Sequence, residues 1–470
     1  MHRRGISFTR PVVGGTISSD QHKSSFLRIT LLIVVLSLCI SQSLRAQDSL
    51  EVQGSSGEFP DSVFSVDTVF ITGNTHTRDF VISREMSLQP GVPITRDLLE
   101  YDKNRIYSLG LFNQVILQIV PTNPGKANVV VNVHERWFIF PYPIFGFKDR
   151  DWSKFFYGAG LAHINFRGRD EKLFTTFIFG YDPLISLTYR NPFLSEEGTY
   201  FLEGHLSYST EQNKSVLAEF DSTNYDQHHV IASLSIGRRI GIQHTLRIGM
   251  EYDILEVSQY LPGRTLSTDG RDAFPTFQAG YTFDSRDLVE YPGLGSFAQF
   301  TITKFGFPRG TIDYVRYSAD LRHYTPLGDG FVWTARTFTD VVAGGPTPAY
   351  DHVYFGYGDR IRGHFDEVFE GESIFGISSE LHWTLLPTRY ITVDWLPREF
   401  GLWKFGVVAA AFGDAGTVWF RGTQPSVGNF VRGYGVGLHF LLPYSWVLRT
   451  EYAWNEARRG EFIFDAGATF

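Results

Sequence analysis

From about Arg136 to Phe470 the chain repeats one pattern, apolar then polar, in runs of about nine to twelve residues. In "LISLTYR", Ile185, Leu187 and Tyr189 oppose Ser186, Thr188 and Arg190. In "TLRIGMEYDI", Leu246, Ile248, Met250, Tyr252 and Ile254 oppose Arg247, Glu251 and Asp253. In "IFGISSELHWTLL", Phe375, Ile377, Leu381, Trp383 and Leu385 oppose Ser378, Glu380, His382 and Thr384. Side chains of a β-strand alternate between faces, so a period of two reads as strands. The runs have the length a tilted strand needs to cross a bilayer, longer than most strands of a soluble sandwich. The polar face carries both charge signs, as a water-filled or plugged lumen does. Beyond the N-terminal leader no run of 18 apolar residues occurs, which excludes a helical membrane protein.

Backbone groups in lipid must find partners within the protein, so such strands close into a barrel. The sequence predicts a mainly β protein: a 16-stranded antiparallel transmembrane β-barrel at 136–470, preceded by one small βααββ domain at 65–135. Predicted strand starts lie near 136, 156, 171, 184, 199, 229, 243, 274, 296, 311, 330, 373, 403, 430, 445 and 461. Links on one side are short, as in "TPLGDG". The longest, including Val342 to Glu372, lie on the other, the asymmetry of an outer-membrane barrel.

Residues 1–46 read as a signal peptide with a long basic leader. Arg3, Arg4, Arg10, Lys23 and Arg28 precede the apolar core Ile29 to Ile40, and Ala46 marks the cut. Cys39 is the one cysteine, so a chain cleaved there has no disulfide and no cysteine metal site. Residues 47–64 are a polar, Gly/Ser-rich linker. In 65–135, "VDTVFITGN" predicts a strand, and Thr77 caps a helix running to about Leu88. Thr95 caps a second, and "QVILQIV" and "ANVVVNVHE" are strands joined by "PTNPGK". Val129, Val131 and Val133 share one face of the last strand.

That βααββ unit, with "LLEYDKNRIYSLGLFNQV", resembles a POTRA domain. Four further stretches carry a wider likeness: "IRGH" (Ile361, Arg362, Gly363, His364), "FGDAG" (Phe412, Asp414 and Gly416 as FxDxG), "DSRDLVEYPGLGS" (Asp284 to Ser296), and "GYGVGLHFLLP" with "FIFDAGATF". Together they resemble the BamA/TamA superfamily of outer-membrane proteins, a POTRA domain plus a bacterial surface antigen barrel, in a short single-POTRA form. The resemblance implies that Arg362 and Asp414 pair and fasten an external loop inside the barrel. The residues agree: Asp414 falls on the lumen face, a guanidinium matches a carboxylate with a planar fork of donors, and Gly363 allows a close approach to the wall. Glu380 also faces inward and is a second candidate partner. Glu367, Glu370 and Glu372 are expected to be solvated loop acids. The family carries an aromatic residue where this chain has His364.

A second constellation is the seam between the first strand, with Pro141 and Pro143, and the last, with Phe462, Phe464 and the terminal Phe470. Proline donates no ladder hydrogen bond, so the closing ladder is expected either to be weak enough to open sideways or to stay closed over an irregular first strand. No G-x-S-x-G, H-E-x-x-H or Walker loop is present, so no catalytic, metal or cofactor site is expected. The net charge of −8 is spread along the chain and gives no nucleic-acid footprint. The expected function is assembly or insertion of client β-barrel polypeptides by strand addition at the POTRA edge and seam, in an accessory or client-specific role. The partners would be outer-membrane lipid, unfolded outer-membrane or secreted polypeptides, and accessory assembly proteins. A polypeptide-secretion pore of the two-partner type and a passive channel or structural barrel are the alternatives.

Overall fold

The computed structural model describes residues 64–148, 152–194, 199–215, 225–357, 359–364, 367–393, 395–396, 401–423 and 425–466. The predicted signal peptide, nearly all of the linker and Phe470 lie outside the described residues.

The first domain holds β1 (Ser65–Thr72), α1 (Asp79–Ser83), α2 (Arg96–Tyr107), β2 (Phe112–Asn123) and β3 (Lys126–Glu135). Its sheet has the order β1-β3-β2, with β1 parallel and β2 antiparallel to β3. Val129, Val131 and Val133 are buried under the helices with Val81, Ile82, Leu88 and Ile106. Thr95 caps α2, its Oγ1 accepting from the Leu98 amide at 3.2 Å. Helix α1 is shorter than the predicted Thr77–Leu88 span. The buried Asp102 carboxylate takes the amides of Ser87 and Leu88, each at 2.8 Å, and pulls that stretch out of helical geometry. Thr77 does not cap α1; its Oγ1 accepts from Asn165 Nδ2 at 2.9 Å.

The next strands are β4 (Ile139–Phe147), β5 (Phe155–Phe166), β6 (Glu171–Gly180), β7 (Leu184–Asn191), β8 (Tyr200–Gln212), β9 (Asp226–Ile240), β10 (His244–Val257) and β11 (Arg271–Asp284). They are followed by β12 (Gly295–Gly306), β13 (Asp313–Gly328), β14 (Phe331–Gly344), the short β15 (Val353–Phe355) and β16 (Phe369–Gly371), then β17 (Ser373–Thr392). The chain closes with β18 (Leu402–Trp419), β19 (Val431–Leu441), β20 (Val447–Asn455) and β21 (Gly460–Ala466). Apart from the small β15–β16 hairpin, β4 to β21 form one 16-stranded antiparallel sheet in chain order. Each predicted start falls within three residues of the observed one.

Burial is inverted relative to a soluble protein. Leu246, Ile248, Met250 and Tyr252 are exposed along β10, and Ile377, Leu381, Trp383 and Leu385 along β17. Glu380, His382, Asp414, His439 and Glu451 are buried on the other face. Charged groups are seldom buried unless paired, so an apolar outside around a polar inside marks a barrel made for lipid. Tyr291, from the β11–β12 turn, reaches His382 on β17 and His439 on β19, which requires the sheet to curl around a lumen.

The end strands depart from expectation. β4 and β21 lie at opposite ends of the sheet order, and among the described residues no ladder joins them. Register gives a reason. The Phe138 carbonyl accepts from the Ile164 amide, and the Lys148 amide donates to the Lys154 carbonyl. Both even-numbered positions face β5, so odd-numbered positions of β4 present their backbone to the free edge. Pro141 and Pro143 are odd and remove two donors from that edge. The outward Ile139 carbonyl is taken by the Trp137 indole N–H.

The first domain is seated against the short-turn end of the barrel. Phe193, from the β7–β8 link, is buried in its core, edge-on to Phe80 at 5.3 Å. Glu85 binds Arg105 of the same domain at 2.8 Å and Arg239 of β9 at 2.7 Å. Burial alone would raise the Glu85 pKa, but the two guanidiniums outweigh it and hold the carboxyl below its ordinary range.

Candidate functional site

The link between β14 and β17 carries the "IRGH" stretch into the lumen. Ile361 anchors it in a cluster with Phe355 and Ile374, against Phe338 and Val418. The FxDxG residues of β18 each serve this docking. A Cβ on Gly416 would lie 2.4 Å from the Phe355 ring and 3.0 Å from Ile361 Cδ1, so glycine clears the space for the loop. The Phe412 ring lies under the Arg362 guanidinium, 3.6 Å from Cζ to centroid, a cation–π contact. Asp414 supplies the carboxylate.

Arg362 grips Asp414 with both prongs: Nε donates to Oδ2 and Nη2 to Oδ1, each at 2.7 Å. Such bidentate, charge-assisted bonds are among the strongest in proteins. Nη1 lies 2.5 Å from Glu380 Oε1 and donates to Glu451 Oε1 at 3.1 Å. Three carboxylates thus surround one guanidinium, with relative exposures of 8 % for Asp414, 1 % for Glu380 and 3 % for Glu451. One positive charge does not balance three negative ones, so each acid needs a second partner. Ser378 Oγ donates to Asp414 at 2.6 Å, His382 Nε2 lies 2.6 Å from Glu380, and His439 Nε2 lies 3.2 Å from Glu451.

Gly363 has φ +100° and donates its amide to Glu461 Oε1 on β21 at 2.7 Å. A Cβ there would lie 2.7 Å from the Trp454 carbonyl oxygen, so the left-handed turn and the close approach both call for glycine. On β19, a Cβ at Gly433 would lie 1.6 Å from the Arg362 carbonyl oxygen. His364 holds two acids: Nδ1 lies 2.9 Å from Glu367 and Nε2 2.7 Å from Glu456. Its ring also meets Phe369 edge-on at 5.9 Å. The histidine therefore keeps part of an aromatic's packing and adds a charge contact.

Two of the loop acids are not solvated. Glu370 meets His352 Nδ1 at 2.7 Å and is also bound by Ser215. Glu372 is buried and accepts from the Arg421 amide at 2.6 Å. His352 belongs to the same link, while the β8–β9 link supplies Ser215 and the β18–β19 link supplies Arg421; Glu367 stays half-exposed.

Arg362, Asp414 and Glu380, which the sequence motifs single out, meet in the structure, and Glu451, His439 and Tyr291 join them without a signal in those motifs. Glu451 and His439 sit at inward positions of alternating strands, so their face was legible, but their meeting with Arg362 was not. At the seam, Phe462 and Phe464 point outward from β21, and Pro141 and Pro143 lie on β4 as described.

Comparison with known proteins agrees with this architecture. The Omp85 superfamily domain matches residues 165–470, and the surface antigen variable number repeat, a POTRA unit, matches residues 64–136. The outer membrane protein assembly factor BamA of Nitratidesulfovibrio vulgaris is 21% identical over 314 residues, covering 64% of this chain and 37% of that relative. The chain thus spans little more than a third of that relative's length. Two solved structures share the fold. BamA from Haemophilus ducreyi lacking POTRA domains 1–3 has a TM-score of 0.50 at 17% identity, covering 86% of this chain and 83% of that one. CdiB from Escherichia coli has a TM-score of 0.50 at 12% identity, covering 96% and 97%. The chain belongs to the Omp85 superfamily, as an outer-membrane β-barrel of sixteen strands with a POTRA domain on the periplasmic side.

Proposed function

We propose that this protein assembles or inserts client β-barrel polypeptides into the outer membrane by lending them strand edges. One observation carries the reading: among the described residues the sheet has two unladdered ends, and on β4 the register aims Pro141 and Pro143 at the free edge. An edge strand short of donors is a template on which an incoming strand can pair and from which it can leave. β21 offers the complementary edge. The Asn455 amide donates to the Arg459 carbonyl, so odd-numbered positions of that hairpin face β20 and the amides of Phe462 and Phe464 face outward. In the POTRA domain, β2 ends its sheet with Ile116 and Val120 exposed, a second place for an extended client to add. The Arg362 loop keeps the lumen filled beside β18 to β21, which supports lateral exchange over free diffusion through a passive channel. One POTRA domain among the described residues gives one such docking sheet and favours an accessory or client-specific role, with accessory proteins as further partners.

Depletion of the protein followed by a census of outer-membrane proteins tests this. Loss of a set of β-barrel proteins is expected. Loss of a single exported protein, with the barrel proteins intact, would instead establish the secretion reading.

A further inference from the structure

The β11–β12 turn touches both the POTRA domain and the cage around Arg362. On the POTRA side, Leu288 packs on the domain's core, and the Val289 amide donates to Ser108 Oγ, at the C-terminus of α2, at 3.1 Å. Glu290 pairs with the buried Lys404, whose Nζ lies 4.9 Å above the Tyr107 ring of α2. On the lumen side, Tyr291 stacks on His382 at 5.1 Å and brings its hydroxyl to 2.9 Å from His439 Nδ1. The turn is braced internally, because Asp287 accepts the amides of Gly293 and Leu294.

The chemistry of Tyr291 extends past its neighbours. His439 faces a hydroxyl on Nδ1 and a carboxylate on Nε2. A neutral imidazole satisfies both in one tautomer, with Nε2–H donating to Glu451 and Nδ1 accepting the tyrosine O–H. The hydroxyl therefore fixes the proton that Glu451 requires. On the other branch, the Tyr291 ring holds His382 flat against it, and His382 in turn holds Glu380. Both branches end on Arg362 Nη1.

We propose that Tyr291 is a positioning residue of the loop lock, and that through its turn the seating of the POTRA domain and the docking of the Arg362 loop are energetically coupled. The coupling rests on the lock itself, and each site acts on the other by the same factor. A client that shifts the POTRA domain would thereby loosen the loop packed against β19 to β21, next to the seam.

The test uses the full chain, folded in detergent, with the folded barrel confirmed by its heat-modifiable gel mobility. Loop docking is read as the rate of chymotrypsin cleavage at Tyr357, and turn seating as hydrogen exchange at Val289. Tyr291→Ala is expected to speed loop cleavage about tenfold, within the usual range of coupling between sites. Tyr291→Phe keeps the ring and removes only the hydroxyl; it is expected to speed cleavage about fivefold, the worth of one buried hydrogen bond. In the reverse direction, Arg362→Ala is expected to speed exchange at Val289 to a similar degree. If both Tyr291 variants leave loop cleavage within about twofold of wild type, well below a usual coupling factor, while Arg362→Ala frees the loop, the coupling is refuted and the lock stands. If Arg362→Ala also leaves the loop protected, the lock and the coupling fall together.

Discussion

Replacing Arg362 with alanine leaves three buried carboxylates around an empty centre. The variant loses the two-pronged grip on Asp414 and the contacts with Glu380, Glu451 and Ser378. Removing one partner of a buried ion pair costs about 3–5 kcal/mol, because the other charge stays buried. The lower end applies here, since Ser378, His382 and His439 still donate to the three acids. At 1.4 kcal/mol per factor of ten, the undocked loop becomes about a hundredfold to a thousandfold more populated. Cleavage by a protease that attacks only the undocked loop follows that population when opening is fast. Chymotrypsin suits the assay, because it does not cut at the mutated arginine. Arg362→Lys keeps the charge but not the fork, and should fall between the two. Arg362→Ala combined with Asp414→Asn should cost less than the sum of the single changes, because the two share one interaction. A rise of less than about threefold in Arg362→Ala, with the barrel folded, would mean that the contacts carry no net docking energy.

Gly433→Ala attacks the same docking from the wall: its Cβ would stand 1.6 Å from the Arg362 carbonyl oxygen, so the loop should lose protease protection although every charged group remains. A protected loop in that variant would show that close backbone approach does not seat it. Pro141→Val with Pro143→Val restores two outward donors on β4, worth about 1–3 kcal/mol together, and should firm the seam and slow client insertion; unchanged insertion kinetics would count against the edge geometry. For His364, burial opposes the charge, but Glu367 and Glu456 outweigh it and raise the pKa above the ordinary histidine value. Charged His364 then stabilises docking fully below about pH 6.5, and the contribution is lost as pH rises through the raised value. Loop cleavage should therefore quicken with rising pH and should lose that dependence in His364→Phe; an identical pH profile in the variant would rule the histidine out.

The barrel was legible because its code is local. Alternation assigns each strand, turn residues end it, and lipid demands that strands be long and closed. The first two motifs brought Arg362 to Asp414 because each residue type has one evident use: a fork, a carboxylate, a glycine at a close approach. What stayed hidden depends on which distant strands meet. Glu451 looks like any inward acid until β20 is placed beside the loop, and Tyr291 looks like a turn residue until the sheet curls over it. The α1 helix was overestimated because Asp102, fifteen residues beyond Ser87, competes for its amides. Glu370 and Glu372 look solvated in the sequence because Ser215 and Arg421, which bind them, come from other links. The proline pair showed that the seam is short of donors, but only the β4–β5 register shows that the missing donors face outward.

The most direct test of the seam places a photo-crosslinking residue at three outward positions in turn: Phe145 on β4, Phe464 on β21, and Leu321 on the opposite wall in β13. All three side chains are exposed, at 73%, 62% and 39%, so access alone does not separate them. During synthesis of outer-membrane proteins, adducts with unfolded clients should form at Phe145 and Phe464 and be absent at Leu321. Equal yields at the three positions, or none at the seam while insertion proceeds, would contradict client exchange through the unladdered ends of the sheet.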